Sequence, residues 1–254
     1  MHGATVSEEA VMTLKIGILA TGTTPDNLIE THGSYADMFI KLFGQAGYDF
    51  TFITFDVRDD IFPESADACD AWIITGSKSS VCDKTPWMAR LKDLILEIYD
   101  TGRPIVGICF GHQIVAEAFG ADVNQYPKGW GVGLHTYQLE KSVSELSALD
   151  GRFTLNAVHQ DQVLSKPDQA EVIASSSFCP FAALQYDNRI LTLQAHPEFN
   201  VAFETRLLQS RRDAPIPSTA TDPALVELNE ASAHTDSLQV AHWMAAFLQQ
   251  GRRH

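Results

Sequence analysis

The first half of the chain alternates short apolar runs with segments of helical spacing, and this alternation restricts the fold more than any other feature. Four runs have the length and composition of buried strands, at 14–22, 49–57, 71–77 and 104–108. Between them lie amphipathic segments that end in glycine, at 34–47 and 85–102. Apolar runs joined in this way form parallel sheets that helices cover on both faces. We therefore expect an α/β protein with a mainly parallel sheet and helices on both faces.

Beyond residue 120 the pattern changes to strands joined by short polar turns. Five such strands are predicted, at 131–140, 153–160, 170–175, 181–187 and 189–196. They are followed by a helix over 201–212, a loop over 213–223, and an amphipathic helix over 236–251 with Asp236 as its N-terminal cap. We expect three parts: an N-terminal extension 1–13, one domain over 14–211, and a C-terminal helical extension 212–254 packed on the same domain.

Composition and charge exclude several classes of protein. The formal net charge of −14 argues against a nucleic-acid partner, because phosphate binding needs clustered lysine and arginine. Four cysteines in 254 residues are too few for a disulfide framework and fit no zinc spacing. No apolar run approaches the roughly 18 residues of a membrane span, and the first residues lack the pattern of a secretory signal. We expect a cytoplasmic protein with no nucleic-acid and no membrane partner.

One cysteine lies at the corner between the fourth apolar run and the following helical segment. Cys109 stands between Gly107 and Gly111 in the sequence GICFG. A sharp strand-to-helix turn presents one side chain at the carboxyl edge of a sheet and requires small neighbours, as in a nucleophile elbow. The amino end of the helix favours negative charge on the sulfur, and the Phe110 N–H supplies one half of an oxyanion hole. The alternative is a buried structural cysteine.

A nucleophilic cysteine needs a base, and one histidine has a suitable setting. The run RILTLQAHPEF leads a strand directly into His196, Pro197 and Glu198. The proline ends the strand and fixes the turn. Glu198 is close enough to hold one ring nitrogen of His196 and direct the other towards a thiol. These residues predict a Cys-His-Glu triad of Cys109, His196 and Glu198; the alternative is a surface loop that contains both residues by chance.

The two motifs GICFGHQ and QAHPEF, in this order, resemble the class I glutamine amidotransferase domain of the Cys-His-Glu type found in GMP synthetase. The resemblance extends over about residues 14–200. It implies a flavodoxin-like fold with Cys109 as nucleophile, His196 as base and Glu198 as the orienting acid. It also matches Gly76 to the glycine whose backbone N–H completes the oxyanion hole.

The same resemblance implies where the substrate binds and how it reacts. Gln113 matches a residue at the α-amino acid end of the substrate, and His159 and Asp161 in HQDQV match a second binding segment. For His159 a structural role is the alternative. The thiolate would attack the amide of glutamine or of a γ-glutamyl compound and release glutamate from a thioester, which requires no metal and no cofactor.

Two segments differ from the biosynthetic amidotransferases, TGSKSS at 75–80 and KGWGVG at 128–133. Both are more similar to stand-alone amidotransferase-like proteins, a group that includes γ-glutamyl peptidases. No Walker motif for ATP binding is present. Three hypotheses stay open: a free-standing γ-glutamyl hydrolase, a glutaminase subunit that passes ammonia to a separate synthase chain, and a regulatory module without turnover. The expected partners are a small-molecule substrate and either a synthase or further copies of the chain.

Overall fold

The computed structural model describes residues 13–250. Apart from Thr13, the predicted N-terminal extension lies outside the described residues, and so do the last four residues of the predicted C-terminal extension.

Within these residues the chain forms eleven strands and seven α-helices. The strands are β1 (Lys15–Ala20), β2 (Thr51–Asp56), β3 (Ala71–Ile74), β4 (Ile105–Ile108), β5 (Val123–Gln125), β6 (Gly131–Leu139), β7 (Arg152–His159), β8 (Asp161–Val163), β9 (Ala170–Ser175), β10 (Ala183–Tyr186) and β11 (Ile190–Leu193). The helices are α1 (Asp26–His32), α2 (Tyr35–Gln45), α3 (Pro86–Thr101), α4 (Phe110–Ala118), α5 (Val201–Arg211), α6 (Ser218–Leu228) and α7 (Ser237–Leu248).

Nine strands form one sheet in the order β2-β1-β3-β4-β11-β10-β9-β6-β7. The five strands from β2 to β11 are parallel to one another, and the four from β10 to β7 continue the sheet with antiparallel pairings. The change from parallel to antiparallel pairing follows the change in sequence pattern near residue 120. A two-stranded sheet of β5 and β8 lies apart from the main sheet and was not predicted.

Helices cover both faces of the parallel strands, as predicted. Ile73 and Val106 belong to one core cluster, which also contains the apolar faces of α2 and α7. The adjacent residues Trp72 and Ile105 belong to the other, together with the buried residues of α3 and α4. Because neighbouring strand residues point to opposite faces, short runs that are apolar throughout contribute to both clusters.

The predicted loop over 213–223 is wrong in its second half, because α6 begins at Ser218 and passes through Pro223. Proline inside a helix removes one backbone hydrogen bond, so the composition pointed to a loop. Packing overrides this local preference: Thr221, Ala224 and Leu228 are buried. An added Cβ on Gly133 of β6 would lie 2.8 Å from the Ala224 side chain, so helix and strand are in direct contact.

Two further predictions of local structure need correction. Residues 26–32, for which no helix was predicted, form the short helix α1. Asp236 does precede α7, but its side chain makes no capping hydrogen bond. Its carboxylate instead accepts a hydrogen bond from the Thr154 N–H at 2.7 Å.

Candidate active site

Cys109 lies in the turn between β4 and α4, at the carboxyl edge of the parallel strands. Its backbone has φ 52° and ψ −101°, a conformation that residues other than glycine rarely adopt. Two hydrogen bonds hold it there: the Cys109 N–H donates to the Leu193 carbonyl at 2.8 Å, and the Cys109 carbonyl accepts from the Gln113 N–H at 3.0 Å. The elbow predicted from the GICFG sequence is therefore present.

The glycines on either side of Cys109 are needed for close packing. A Cβ added to Gly107 would lie 2.7 Å from the Gly111 carbonyl oxygen. One added to Gly111 would lie 2.5 Å from the Ile74 carbonyl oxygen of β3. Any side chain at these positions would push α4 away from the sheet and displace Cys109.

His196 and Glu198 form a buried pair shortly after β11. His196 Nδ1 lies 2.8 Å from Glu198 Oε1, and the two side chains are 5% and 0% exposed. The His196 N–H donates to the Asn156 carbonyl at 2.8 Å. The Phe199 ring stacks on the imidazole with centroids 4.0 Å apart. The backbone and the ring face of His196 are thus both fixed, so the alternative of a surface loop is excluded.

The environment of His196 favours its protonated form. Burial alone lowers the pKa of His196, but the Glu198 carboxylate and the Cys109 sulfur raise it, and the net pKa is about 10. At neutral pH the ring is therefore an imidazolium paired with a carboxylate. Such a group donates a proton to a departing amine and takes one back from water.

Gly76 and Phe110 lie next to this arrangement. A Cβ added to Gly76 would be 2.7 Å from His196 Cε1 and 3.6 Å from Cys109 Cβ, so the Gly76 backbone borders both side chains. Phe110 is the first residue of α4, and its N–H has no acceptor within the helix. The Gly76 carbonyl accepts a hydrogen bond from the Thr21 hydroxyl at 3.2 Å, which ties the ends of β3 and β1 together.

Cys109 lines a cavity of about 380 Å³, and the three predicted substrate-binding residues line the same cavity. The cavity is lined by residues 77–80 after β3, Cys109, Gln113, Gln125, Trp130, residues 158–161, Arg211 and Pro215. This volume accommodates a small-molecule substrate. Ser80 and Trp130 lie in the segments TGSKSS and KGWGVG that the sequence distinguishes, although neither residue was assigned a role there, and Arg211 was not identified.

Gln113 and Asp161 are held in defined positions. Gln113 Nε2 donates to the Asp161 carbonyl at 2.9 Å and to Gln194 Oε1 at 3.2 Å. The Asp161 carboxylate accepts a hydrogen bond from the Ser80 hydroxyl at 2.5 Å. The contact between Ser80 and Asp161 joins the loop after β3 to β8, and it is a contact that no local motif predicts.

His159 is 4% exposed and lines the same cavity. Burial lowers its pKa to about 3, with a further contribution from the neighbouring His135, so the ring is neutral. Neither ring nitrogen has a hydrogen-bond partner among the described residues. A buried polar group without a partner is costly, so a polar ligand group would relieve that cost.

Two other kinds of site are absent from residues 13–250. No group of three or more His, Cys, Asp or Glu side chains is arranged to hold a metal ion in that part of the chain. None of the helices described there combines the length and apolar character needed to cross a bilayer. Cys69, Cys82 and Cys179 do not line the cavity.

The fold and the site together define an α/β enzyme of the cysteine hydrolase type, with the cysteine at a strand-to-helix elbow. The family model of Glutamine amidotransferase class-I matches residues 27–210. The chain therefore belongs to the class I glutamine amidotransferase family.

Known relatives extend over much of the chain. A glutamine amidotransferase-like protein of Schizosaccharomyces pombe is 30% identical over 91% of this chain and 97% of its own length. Gamma-glutamyl peptidase 4 of Arabidopsis thaliana is 31% identical over 70% of this chain and 73% of its own length. The crystal structure of a glutamine amidotransferase from Thermotoga maritima superimposes with a TM-score of 0.71 at 18% identity, covering 94% of this chain and 98% of that one. This last likeness shows a shared fold.

Proposed function

We propose that this chain hydrolyses the γ-glutamyl amide bond of glutamine or of a γ-glutamyl compound, with Cys109 as the nucleophile. The observation that carries the proposal is the position of Cys109: it is held at positive φ in a cavity, beside the buried pair of His196 and Glu198. Membership of the class I family and the similarity to a γ-glutamyl peptidase support the same chemistry.

In the first half of the reaction the Cys109 thiolate bonds to the amide carbonyl carbon, and an electron pair moves to the oxygen. The N–H groups of Gly76 and Phe110 stabilise that oxyanion. As the pair returns, the carbon–nitrogen bond breaks, and the His196 imidazolium gives its proton to the departing amine. The product is a γ-glutamyl thioester on Cys109.

In the second half a water molecule attacks the thioester, and His196 takes a proton from it. The carbon–sulfur bond then breaks, which releases glutamate and restores the Cys109 thiolate. One water is consumed in each cycle. Glu198 keeps the imidazole ring in the required orientation and stabilises its charged form.

We assign Gln113, His159 and Asp161 to the α-amino acid end of the substrate. All three line the cavity that contains Cys109. The Asp161 carboxylate offers a charge partner for an α-ammonium group, and the unpartnered ring nitrogens of His159 offer a hydrogen bond.

The organisation of the chain and its location complete the proposal. We assign residues 14–211 to an amidotransferase-like domain and 212–254 to a helical extension packed on it, supported by the contacts of α6 with β6 and of α7 with α2. All four cysteines are free, which supports a reducing, cytoplasmic location.

The test is glutamate release by the purified protein alone, with glutamine and a panel of γ-glutamyl amides as substrates. We expect turnover of at least one compound. The Cys109→Ala variant should fall to the blank while its circular dichroism is unchanged, and Cys82→Ala, at an exposed cysteine, should keep full activity. Turnover in Cys109→Ala would overturn the mechanism. Silence towards the panel, together with alkylation of Cys109 by a glutamine analogue, would indicate a glutaminase subunit that needs its synthase.

A further inference from the structure

One wall of the cavity is formed by the connection between α5 and α6. It contributes Arg211, the last residue of α5, and Pro215. Both residues follow directly on the segment 27–210 that matches the class I family. The family model does not extend over this wall, so its chemistry can differ between members of the family and select the substrate.

The connection is held firmly in place. The Arg211 carbonyl accepts hydrogen bonds from the N–H groups of Ala214 and Ile216, each at 3.1 Å. Arg212 makes two hydrogen bonds to the Asp222 carboxylate, at 2.6 and 2.8 Å, and one to Asp213 at 2.7 Å. The Ile216 side chain is fully buried. The backbone that carries Arg211 is thus anchored on both sides.

Arg211 differs from its neighbour Arg212 in its charge partners. Two carboxylates neutralise Arg212, whereas no carboxylate of residues 13–250 lies within salt-bridge distance of Arg211. Glu204, on the same helix, is fully buried, and burial raises its pKa to about 8. It is therefore mainly protonated at neutral pH and leaves most of the charge on Arg211 uncompensated.

The charged side chains that line the cavity are consequently mainly positive, although the chain as a whole is acidic. Lys78 lines the cavity from the loop after β3 and, like Arg211, has no salt bridge to any described residue. The lining contains one carboxylate, that of Asp161, and the Ser80 hydroxyl donates to it. Apart from the catalytic Cys109, the lining therefore carries two cations and one anion, in a chain with a net charge of −14. Such a cavity concentrates negatively charged ligands.

We propose that Arg211 binds a carboxylate on the leaving amine, so that the preferred substrate is a γ-glutamyl amino acid or peptide and not glutamine. The inference rests on the proposed function. Gln113 and Asp161, assigned above to the glutamyl part, lie on α4 and β8, whereas Arg211 is on the α5–α6 wall. When glutamine is the substrate, the leaving group is ammonia, which gains nothing from a guanidinium. A carboxylate on the amine accepts charge-assisted hydrogen bonds from it.

Two compounds that differ in one charge test this inference. γ-L-Glutamylglycine releases glycine, which carries a carboxylate, and γ-L-glutamylglycinamide releases the amide of nearly the same size. We expect kcat/KM to favour γ-L-glutamylglycine by about tenfold or more in low salt, a difference of about 1.4 kcal/mol. The preference should shrink as the salt concentration rises, because ions screen a partly exposed pair.

Substitution of Arg211 connects the preference to this residue. In Arg211→Gln the ratio of the two kcat/KM values should fall to near one. Arg206→Gln is the matched control: it removes an exposed cation from the same helix but not from the cavity lining, so the ratio should stay at the wild-type value.

Three outcomes would contradict the inference. Equal kcat/KM for both compounds in the wild type would show that the leaving amine needs no charge. An unchanged ratio in Arg211→Gln, with both values reduced, would place Arg211 at the glutamyl part of the substrate. If neither compound released glutamate while glutamine did, the inference would fail and the proposed function would stand; if glutamine released none either, both would fail.

Discussion

Gly76 has no side chain, and its neighbours explain why none fits. The space that a Cβ would occupy is 2.7 Å from His196 Cε1, closer than such carbon atoms approach. The same Cβ position lies 3.6 Å from the Cβ of Cys109. A single residue on the loop after β3 thus sets how closely the imidazole and the cysteine can lie together.

We expect Gly76→Ala to lower kcat at least tenfold, because the methyl group pushes the imidazole out of line with Cys109. Gly44→Ala is a suitable control. Gly44 lies on α2, a Cβ there would meet nothing within 4 Å, and alanine should raise the free energy of unfolding by about 0.5–1 kcal/mol. Steady-state kinetics and thermal melts separate the two effects. A Gly76→Ala enzyme with wild-type kcat would mean that the His196 ring has room to move.

His196 and Glu198 make different contributions, and their substitutions should differ accordingly. His196→Ala removes the proton donor and should lower kcat by about 10²–10⁴. Glu198→Gln keeps a hydrogen-bond acceptor but loses the charge that raises the pKa of His196, so the loss should be smaller. The fall in kcat at alkaline pH should also move towards lower pH, which a pH–rate profile measures. Wild-type activity and an unchanged profile in Glu198→Gln would reduce the proposed triad to a dyad.

At the scale of secondary structure, Asp236 illustrates a limit of prediction from local sequence. An aspartate before an amphipathic segment predicts an N-terminal cap. In the structure β7 is the outermost strand of the sheet, and Asp236 lies against its open edge. The Asp236 N–H donates to the Thr154 carbonyl at 2.8 Å and the carboxylate accepts from the Thr154 N–H at 2.7 Å. Asp236 thereby covers an edge that would otherwise be free to pair with another strand.

Replacing Asp236 tests that edge contact. Asp236→Ala should lower the free energy of unfolding by about 1–3 kcal/mol, because the Thr154 N–H loses a charged acceptor. Amide hydrogen exchange at Thr154 should become faster. Asp236→Asn keeps a side-chain oxygen, so it should lower the free energy of unfolding less and accelerate exchange at Thr154 less. If exchange accelerates in the first turn of α7 while Thr154 is unaffected, the carboxylate acts as a helix cap after all.

For the whole molecule, prediction from sequence worked best where neighbouring residues carry the information. The parallel half of the sheet follows from apolar runs separated by helices, and the class of enzyme follows from two motifs at strand ends. The segments that contain Ser80 and Trp130 were distinguished from the sequence, but the roles of these two residues and of Arg211 depend on packing between distant segments. Helix α6 was missed for a related reason: its proline favours a loop, and only the contact with β6 makes the helix stable.

The pH dependence of stability is a property of the whole molecule, and above about pH 6.5 Glu204 and His196 should both make the protein less stable as the pH rises. Glu204 has its pKa raised by burial from 4.5 to about 8, and His196 has its pKa raised from 6.5 to about 10. In each case the folded state holds a proton that the unfolded state has released. The contributions of these two groups therefore decrease with rising pH, between about 4.5 and 8 for Glu204 and between about 6.5 and 10 for His196. His159, whose pKa burial lowers to about 3, contributes in the opposite direction below about pH 6.5.

Substitution of Glu204 isolates its share of this pH dependence. Glu204→Gln keeps the oxygen that accepts a hydrogen bond from the Gly133 N–H and removes the titrating proton. We expect its melting temperature to fall less than that of the wild type between pH 5 and pH 8, and by a similar amount from pH 8 to pH 10, where His196 dominates. Glu227→Gln, at an exposed acid of α6, should follow the wild type throughout. Parallel curves for Glu204→Gln and the wild type would mean that Glu204 is ionised in the folded protein, and the charge on Arg211 would then be compensated from within its own helix.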